Sequence, residues 1–354
     1  MKIPSRHRLR LVLALLVVVS CALSCGKPSH DITLQGSGAT FPAPLYKRWF
    51  IEYFAQHPDV RVNYSPIGSG AGIRQFTAGL TSFGASDAGM SKKEIEKLPK
   101  EFGGVLLLPM TAGEIVLSYN LPIAEPLRLS REAYVKIFLR EITKWNDPAI
   151  AKDNPGAPLP DEEITVVTRA DSSGTTYAFT THMDAVAKAL HIDWTPGVDK
   201  SVPWKKSIAA QGNDGVAALV QLTPGAIGYV EFGYAELAHL SMAALENHSH
   251  QFVVPDASGK SGELALEGAK IPEDLQIRVP DPETSGAYPI VTYTWVLGRR
   301  HYDDPREAET LKTLLLDCLT DRKQDVARQL GYVKMPEAVI DRIRAELETP
   351  TATR

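Results

Sequence analysis

Three short loops carry the residues best suited to chemistry. They are Gly36-Ser37-Gly38-Ala39-Thr40-Phe41, Gly68-Ser69-Gly70-Ala71-Gly72 and Asp171-Ser172-Ser173-Gly174-Thr175-Thr176. Each ends a short apolar run and opens a stretch that reads as helix. A helix start presents unpaired backbone N–H groups and the positive end of the helix dipole, so it attracts an anion. Glycine permits close backbone approach, and the hydroxyls add donors at the same place. Three such loops in one chain suggest a single oxyanion held between several helix starts.

Two charged residues sharpen that reading. Arg169 stands two residues before Asp171, a spacing that lets the carboxylate orient the guanidinium while it clamps an oxyanion. Asp87 follows the apolar run Phe83-Gly84-Ala85-Ser86, which places it at the carboxyl end of a strand, facing the same crevice. A carboxylate there repels an anion unless the anion brings a proton to donate. Phosphate at neutral pH does so and sulfate does not, so Asp87 reads as a selectivity device.

The elements that must position these loops alternate between strand and helix along the whole chain, the pattern of an α/β protein. Ile32 to Leu34 reads as a strand, as do Val60 to Tyr64, Ile164 to Val167, Ala226 to Val230 and Ile290 to Leu297. Leu45, Trp49 and Tyr53 recur at helical spacing, with Pro42 and Pro44 tolerated at the helix start. Ser91-Lys92-Lys93-Glu94 is a capping box. Thr176 to Ala189 reads as a helix, Asn213-Asp214-Gly215 as the cap of a helix over Val216 to Leu222, and three more helices are expected around 306–319, 322–330 and 336–347. Asn247 to Glu263 is polar and turn-rich and reads as a surface excursion.

The 354 residues are 44% hydrophobic and 23% charged, which suits a two-domain globular chain. Lys2, Arg6, Arg8 and Arg10 precede the apolar run Leu11 to Val19, the layout of an export signal. Either Cys21 or Cys25 is placed to close a lipoprotein box; the polar Gly26-Lys27-Pro28-Ser29 after Cys25 favours the latter, and a plain secretory signal is the alternative. Removing the four basic residues of the signal takes the net charge from −4 to −8. So acidic a chain has no global field for nucleic acid, and any anion site must rest on local donors. Cys318 lies in an apolar helical pattern and reads as a buried thiol. Other motifs fail: Val254 stands where a P-loop before Gly259-Lys260-Ser261 needs glycine, no zinc-protease helix motif occurs, and His248 and His250 form a lone pair in a polar loop. Neither a cofactor nor a metal is expected.

The loops, with Pro42-Ala43-Pro44, Ile67, Phe83 to Asp87, Arg169 to Thr175 and Gly225-Ala226-Ile227-Gly228-Tyr229-Val230-Glu231, together resemble the phosphate-binding subunit of the bacterial high-affinity phosphate ABC transporter. Order and spacing agree over nearly the whole mature chain; Ser172 replaces a common glycine, and 247–280 matches weakly. The resemblance implies a type II periplasmic-binding-protein fold, two α/β lobes with the ligand cleft between them. It assigns phosphate contacts to Thr40, Phe41 (through its N–H), Ser69, Asp87, Arg169, Ser173, Gly174 and Thr175, and the orienting of the arginine to Asp171. The expected layout is a signal at 1–24, a tether at 25–30, a first lobe at 31–118 plus 290–349, a second at 119–289 and a tail at 350–354. The resemblance further implies non-enzymatic capture of inorganic phosphate, delivery to the permease and ATPase subunits of an importer, and a lipid anchor in the membrane. Another oxyanion or an organic phosphate as ligand, or a secreted phosphatase, are the alternatives.

Overall fold

The computed structural model describes residues 32–123 and 126–349; the signal, Cys21, Cys25, the tether and the tail lie outside the described residues. The chain opens with β1 (Ile32–Gly38), α1 (Ala43–Gln56), β2 (Val60–Pro66), α2 (Ser69–Thr77), β3 (Phe83–Ser86) and the short α3 (Lys92–Ile95). Then β4 (Val105–Tyr119) leads into β5 (Arg128–Leu129), α4 (Arg131–Leu139), α5 (Pro148–Asp153), β6 (Thr165–Arg169), α6 (Gly174–Ala189), β7 (Ser207–Ala210), α7 (Gly212–Leu222), β8 (Ala226–Glu231) and α8 (Phe232–Leu237). The short strands β9 (Ser241–Met242), β10 (Ala244–Glu246) and β11 (Phe252–Val253) precede α9 (Lys260–Leu266), β12 (Val291–Arg299), α10 (Pro305–Cys318), α11 (Asp321–Gln329) and α12 (Glu337–Glu348).

One sheet runs β2-β1-β3-β12-β4-β8-β6-β7, and a small one runs β11-β10-β5. The long β4 joins two half-sheets: Val105 to Glu114 pair with β12, and Ile115 to Tyr119 pair with β8. Its nearly unbroken apolar run suits a strand covered on both faces. The change of partner between Glu114 and Ile115 falls inside the range read as the first lobe, so residues 115–118 pair with the second half-sheet. β1 and β3 are parallel neighbours in the first half, β6 and β8 in the second. In sheets of this kind ligands bind beyond the carboxyl ends of the strands.

Packing fixes the strands in place. α1 buries Leu45, Tyr46, Trp49, Phe50 and Tyr53; α6 buries Phe179, Met183 and Val186. The C-terminal helices return to the first half-sheet. Trp49 Nε1 donates to Lys323 O at 3.1 Å, and Tyr332 Oη donates to Phe41 O at 2.7 Å. Cys318 is a buried free thiol, as expected, and burial pushes its pKa up.

Two sequence expectations need correction. Residues 247–263 are not a simple surface excursion: Asn247 and Ser261 are buried, and Ser261 Oγ lies 2.5 Å from Glu114 Oε1. A polar segment can be polar because it satisfies buried partners, which composition does not reveal. Asn213 also is not a cap, since the helix begins at Gly212 with Gln211 as its N-cap. The left-handed Gly212 (φ 73°) turns the chain one step earlier and frees the Asn213 side chain to point elsewhere.

Candidate functional site

Each of the three loops ends a parallel strand and starts a helix, and the three helix starts meet. α2 begins at Ser69 after the N-cap Gly68. α6 begins at Gly174, capped by Ser173, whose Oγ accepts from Thr176 N at 3.0 Å. Thr40 lies just before α1. All the side chains expected at the site are brought together, and Thr40, Ser69, Asp87, Arg169, Ser173 and Thr175 are all buried.

The contacts between the two half-sheets are direct. Ser69 Oγ, which accepts from Asp87 N in its own half at 3.2 Å, also accepts from Gly174 N of the other half at 3.0 Å. Gly70 N donates to Ser172 O at 2.9 Å. Glycine is required at 174, where a Cβ would stand 2.4 Å from Ser69 Oγ and 2.7 Å from Asp87 N. At Gly68, φ is +91° and a Cβ would meet Asp171 Oδ2 at 2.3 Å.

Arg169 sits at the end of β6 and is held in a fork. Its Nε and Nη2 donate to the two oxygens of Asp171 at 2.8 and 2.6 Å. Asp171 also accepts from Gly212 N at 3.0 Å. Burial raises the Asp171 pKa, but the hydrogen bonds and charge of Arg169 outweigh it and the net shift is downward, so the carboxylate stays ionised. The remaining guanidinium donors reach into the site: Nη1 to Thr175 Oγ1 and Nη2 to Thr40 Oγ1, each 3.3 Å.

The hydroxyls share one property. Thr40 Oγ1 accepts from Arg169 and from the backbone and side-chain nitrogens of Asn213, at 3.2 and 2.9 Å. Ser69 Oγ accepts two N–H groups and Ser173 Oγ accepts one. Protein donors thus occupy the oxygen lone pairs, and the hydroxyl protons of Thr40, Ser69 and Ser173 are left to point at an acceptor. Among the described residues the N–H groups of Phe41 and Thr175 also lack a protein partner. The Phe41 ring turns away and packs edge-on against Tyr332 at 6.1 Å.

Among the described residues Asp87 is the single carboxylate whose oxygens accept from hydroxyls of both half-sheets. Thr294 Oγ1 donates to Oδ1 at 2.6 Å, and Thr175 Oγ1 donates to Oδ2 at 3.3 Å. Burial raises its pKa to about 7, against the Thr294 hydrogen bond and the Arg169 charge, which lower it. Thr294 is aimed by a bulge: Thr294 pairs with Thr111 and Trp295 with Pro109, so Met110 is the extra residue on β4. A strand proline, lacking its N–H, suits that interruption.

Sequence reasoning missed Thr294, Asn213 and Tyr234. Tyr234 Oη donates to Thr40 O at 2.7 Å and steadies the first loop from the other half. Asn213 Oδ1 accepts from Glu231 N at 3.0 Å, which fixes its amide toward Thr40. The signal for Asn213 was present as an Asn at a helix start; Thr294 is hidden in the alternation of an ordinary strand.

Comparison with known proteins identifies the family and the fold. The pattern of the PBP superfamily domain matches residues 26–315. The phosphate-binding protein PstS of Pasteurella multocida is 36% identical over 321 residues, covering 90% of each chain. Among solved structures, a phosphate-binding protein from Stenotrophomonas maltophilia superposes with a TM-score of 0.69 at 19% identity, covering 89% of this chain and 94% of that one. An ABC-type phosphate transport receptor from Vibrio cholerae gives 0.54 at 18% identity, covering 86% and 100%. The fold is therefore the two-lobed one of periplasmic binding proteins, and the chain belongs to the PBP superfamily and, within it, to the family of the phosphate-binding proteins PstS.

Proposed function

We propose that the chain captures inorganic phosphate outside the cytoplasmic membrane and delivers it to the permease and ATPase subunits of an ABC-type importer. The observation that carries this is Asp87, a buried carboxyl group among anion-seeking donors. Arg169 is neutralised by Asp171, so the site has no net positive charge to hold any anion indiscriminately. It suits an anion that both accepts many hydrogen bonds and donates one.

The contacts follow from the geometry. The hydroxyls of Thr40, Ser69 and Ser173 and the N–H groups of Phe41 and Thr175 donate to phosphate oxygens, while the Thr175 hydroxyl donates to Asp87. Arg169 supplies a charge-assisted bond from the remaining N–H of Nη1, and Asp87 accepts the phosphate proton. Gly174 serves by its size, since its N–H is already given to Ser69 Oγ; this differs from the direct contact expected of it. About seven such bonds at roughly 1.5–3 kcal/mol each offset the desolvation of the ion and leave about −8 kcal/mol, micromolar affinity. No bond of the ligand is broken in this scheme.

The lobes in this reading are residues 32–114 with 290–349, and 115–289. They close about the crossing strands, as binding proteins do around a ligand. Lipidation at Cys25, or at Cys21, would tie the mature chain to the membrane; mass spectrometry of the membrane-bound chain distinguishes the two from a plain cleaved signal. The function itself is tested by calorimetric titration of the signal-free, phosphate-stripped chain with inorganic phosphate. One-to-one binding at micromolar affinity or tighter is expected. Absence of binding, or turnover of a phosphate ester, would overturn the reading.

A further inference from the structure

Outside the ligand loops, two ion pairs of the described residues join the two halves of the molecule, the more exposed Arg328–Glu263 and the more buried Lys200–Glu94. Lys200 Nζ lies 2.9 Å from Glu94 Oε1, with side chains only 15% and 24% exposed. Glu94 belongs to α3, which follows β3 in the first half; Lys200 belongs to the loop before β7 in the second. Both ends are prepared for the contact. Glu94 Oε2 accepts from the N–H and the hydroxyl of Ser91, each at 2.8 Å, in a complete capping box that leaves Oε1 for the lysine. The backbone of Lys200 is tied to the ligand loop, because its carbonyl accepts from Ser173 N at 2.8 Å. Ser173 in turn caps α6 at the site.

We propose that Glu94 and Lys200 form an electrostatic latch that exists only while the lobes are together, and that it sets how slowly bound phosphate leaves. The pair stands apart from the loops that hold the anion. Its partners sit on opposite lobes, so opening must separate them, whereas the encounter of phosphate with an open cleft does not involve it. A contact made only in the closed state slows opening and leaves capture unchanged. Partial burial spares the pair much of the screening that makes exposed pairs weak. The neighbouring charges, Lys92 and Lys93 beside Glu94 and Asp199 beside Lys200, lie on the same short segments and move with them. Lys200 and Glu94 are positioning residues, since neither is placed on the anion.

The test is stopped-flow release and association of inorganic phosphate with the mature chain and three variants: Glu94→Gln, Lys200→Gln and the double variant. Glutamine at 94 keeps the acceptor of the capping box while removing the charge. Each single variant is expected to release phosphate about 3- to 10-fold faster with association unchanged. The double variant should release no faster than either single one, the sign of a shared interaction. Wild-type release should also quicken with salt, and variant release should respond much less. Unchanged release in the single variants, effects that multiply in the double, or a loss confined to association would each overturn the latch. The proposal uses the phosphate reading only for its probe: no phosphate binding by the wild type would sink both, while tight binding with unaltered variant kinetics would sink the latch alone.

Discussion

Protonation of Asp87 should control whether sulfate enters the site. The carboxyl group has its pKa raised to about 7 by burial, opposed by Thr294 and Arg169. Ionised, it can only accept, so it pairs with the proton of phosphate and meets sulfate with like charge and acceptor against acceptor. Protonated, it becomes a donor, and the objection to sulfate disappears. Sulfate binding must then draw on the protonated fraction alone. That fraction falls about tenfold per pH unit above the pKa, a cost of about 1.4 kcal/mol per unit. Apparent sulfate affinity should therefore rise about tenfold between pH 9 and pH 8, about fivefold between pH 8 and pH 7, and level off below about pH 6.

Asp87→Asn removes the switch, because the amide offers a donor at every pH. The variant should bind sulfate with an affinity that is flat with pH across this range and at least about tenfold above the wild type at pH 8. Phosphate affinity should fall at the same time, since its proton loses the charged acceptor. The assay is competition calorimetry with sulfate and phosphate from pH 5 to 9 on both proteins. Glu231 also has its pKa raised, to about 8, by burial, so a pH slope in the wild type alone is insufficient. The deciding quantity is the difference in slope between wild type and Asn variant. Equal slopes, or an Asn variant that still rejects sulfate as strongly, would refute the proton-reading role.

Other perturbations test the surrounding parts. Thr294→Val removes the 2.6 Å donor to Asp87; a hydrogen bond to a charged group worth about 1.5 kcal/mol moves the sulfate crossover up by about one pH unit, read in the same competition series. Gly174→Ala places a Cβ against Ser69 and Asp87 across the cleft and should weaken phosphate binding about 10- to 100-fold by calorimetry, while the thermal midpoint of the ligand-free protein changes little. Glu114 and Glu231 both have pKa values raised to about 8, chiefly by burial. Each is raised above its unfolded value, so the stability it confers is full below about pH 4.5 and lost as pH climbs through about 8, on the order of a few kcal/mol. Thermal melts from pH 5 to 9 should show this decline, and Glu231→Gln should flatten it; a midpoint that rises with pH contradicts the sign.

The site was legible in the sequence to the extent that its chemistry is local. A Gly-Ser-Thr loop between a strand and a helix announces its donors in consecutive residues, and Arg169 declares its partner two positions on. Asp87 was legible for the same reason, as a charge at the end of an apolar run. What escaped depends on register and approach across the sheet. Thr294 reaches Asp87 because β12 pairs beside β3 and because Met110 is pushed out of the ladder; neither fact leaves a trace in local composition. Asn213 was read as a cap because an Asn at a helix start usually is one. Here Gly212 takes the left-handed turn, and the amide is spent on Thr40 in the other half of the molecule. The change of pairing partner in β4 leaves no local signal for a related reason: an apolar strand buried along its length looks the same on both sides of Glu114. Residues that act within one loop can be read from sequence, whereas those that join the two lobes become visible only once the chain is folded. Inter-lobe residues such as Asn213 and Lys200, and cross-strand ones such as Thr294, are therefore where substitutions should most often change ligand retention or selectivity without altering any loop that names the ligand.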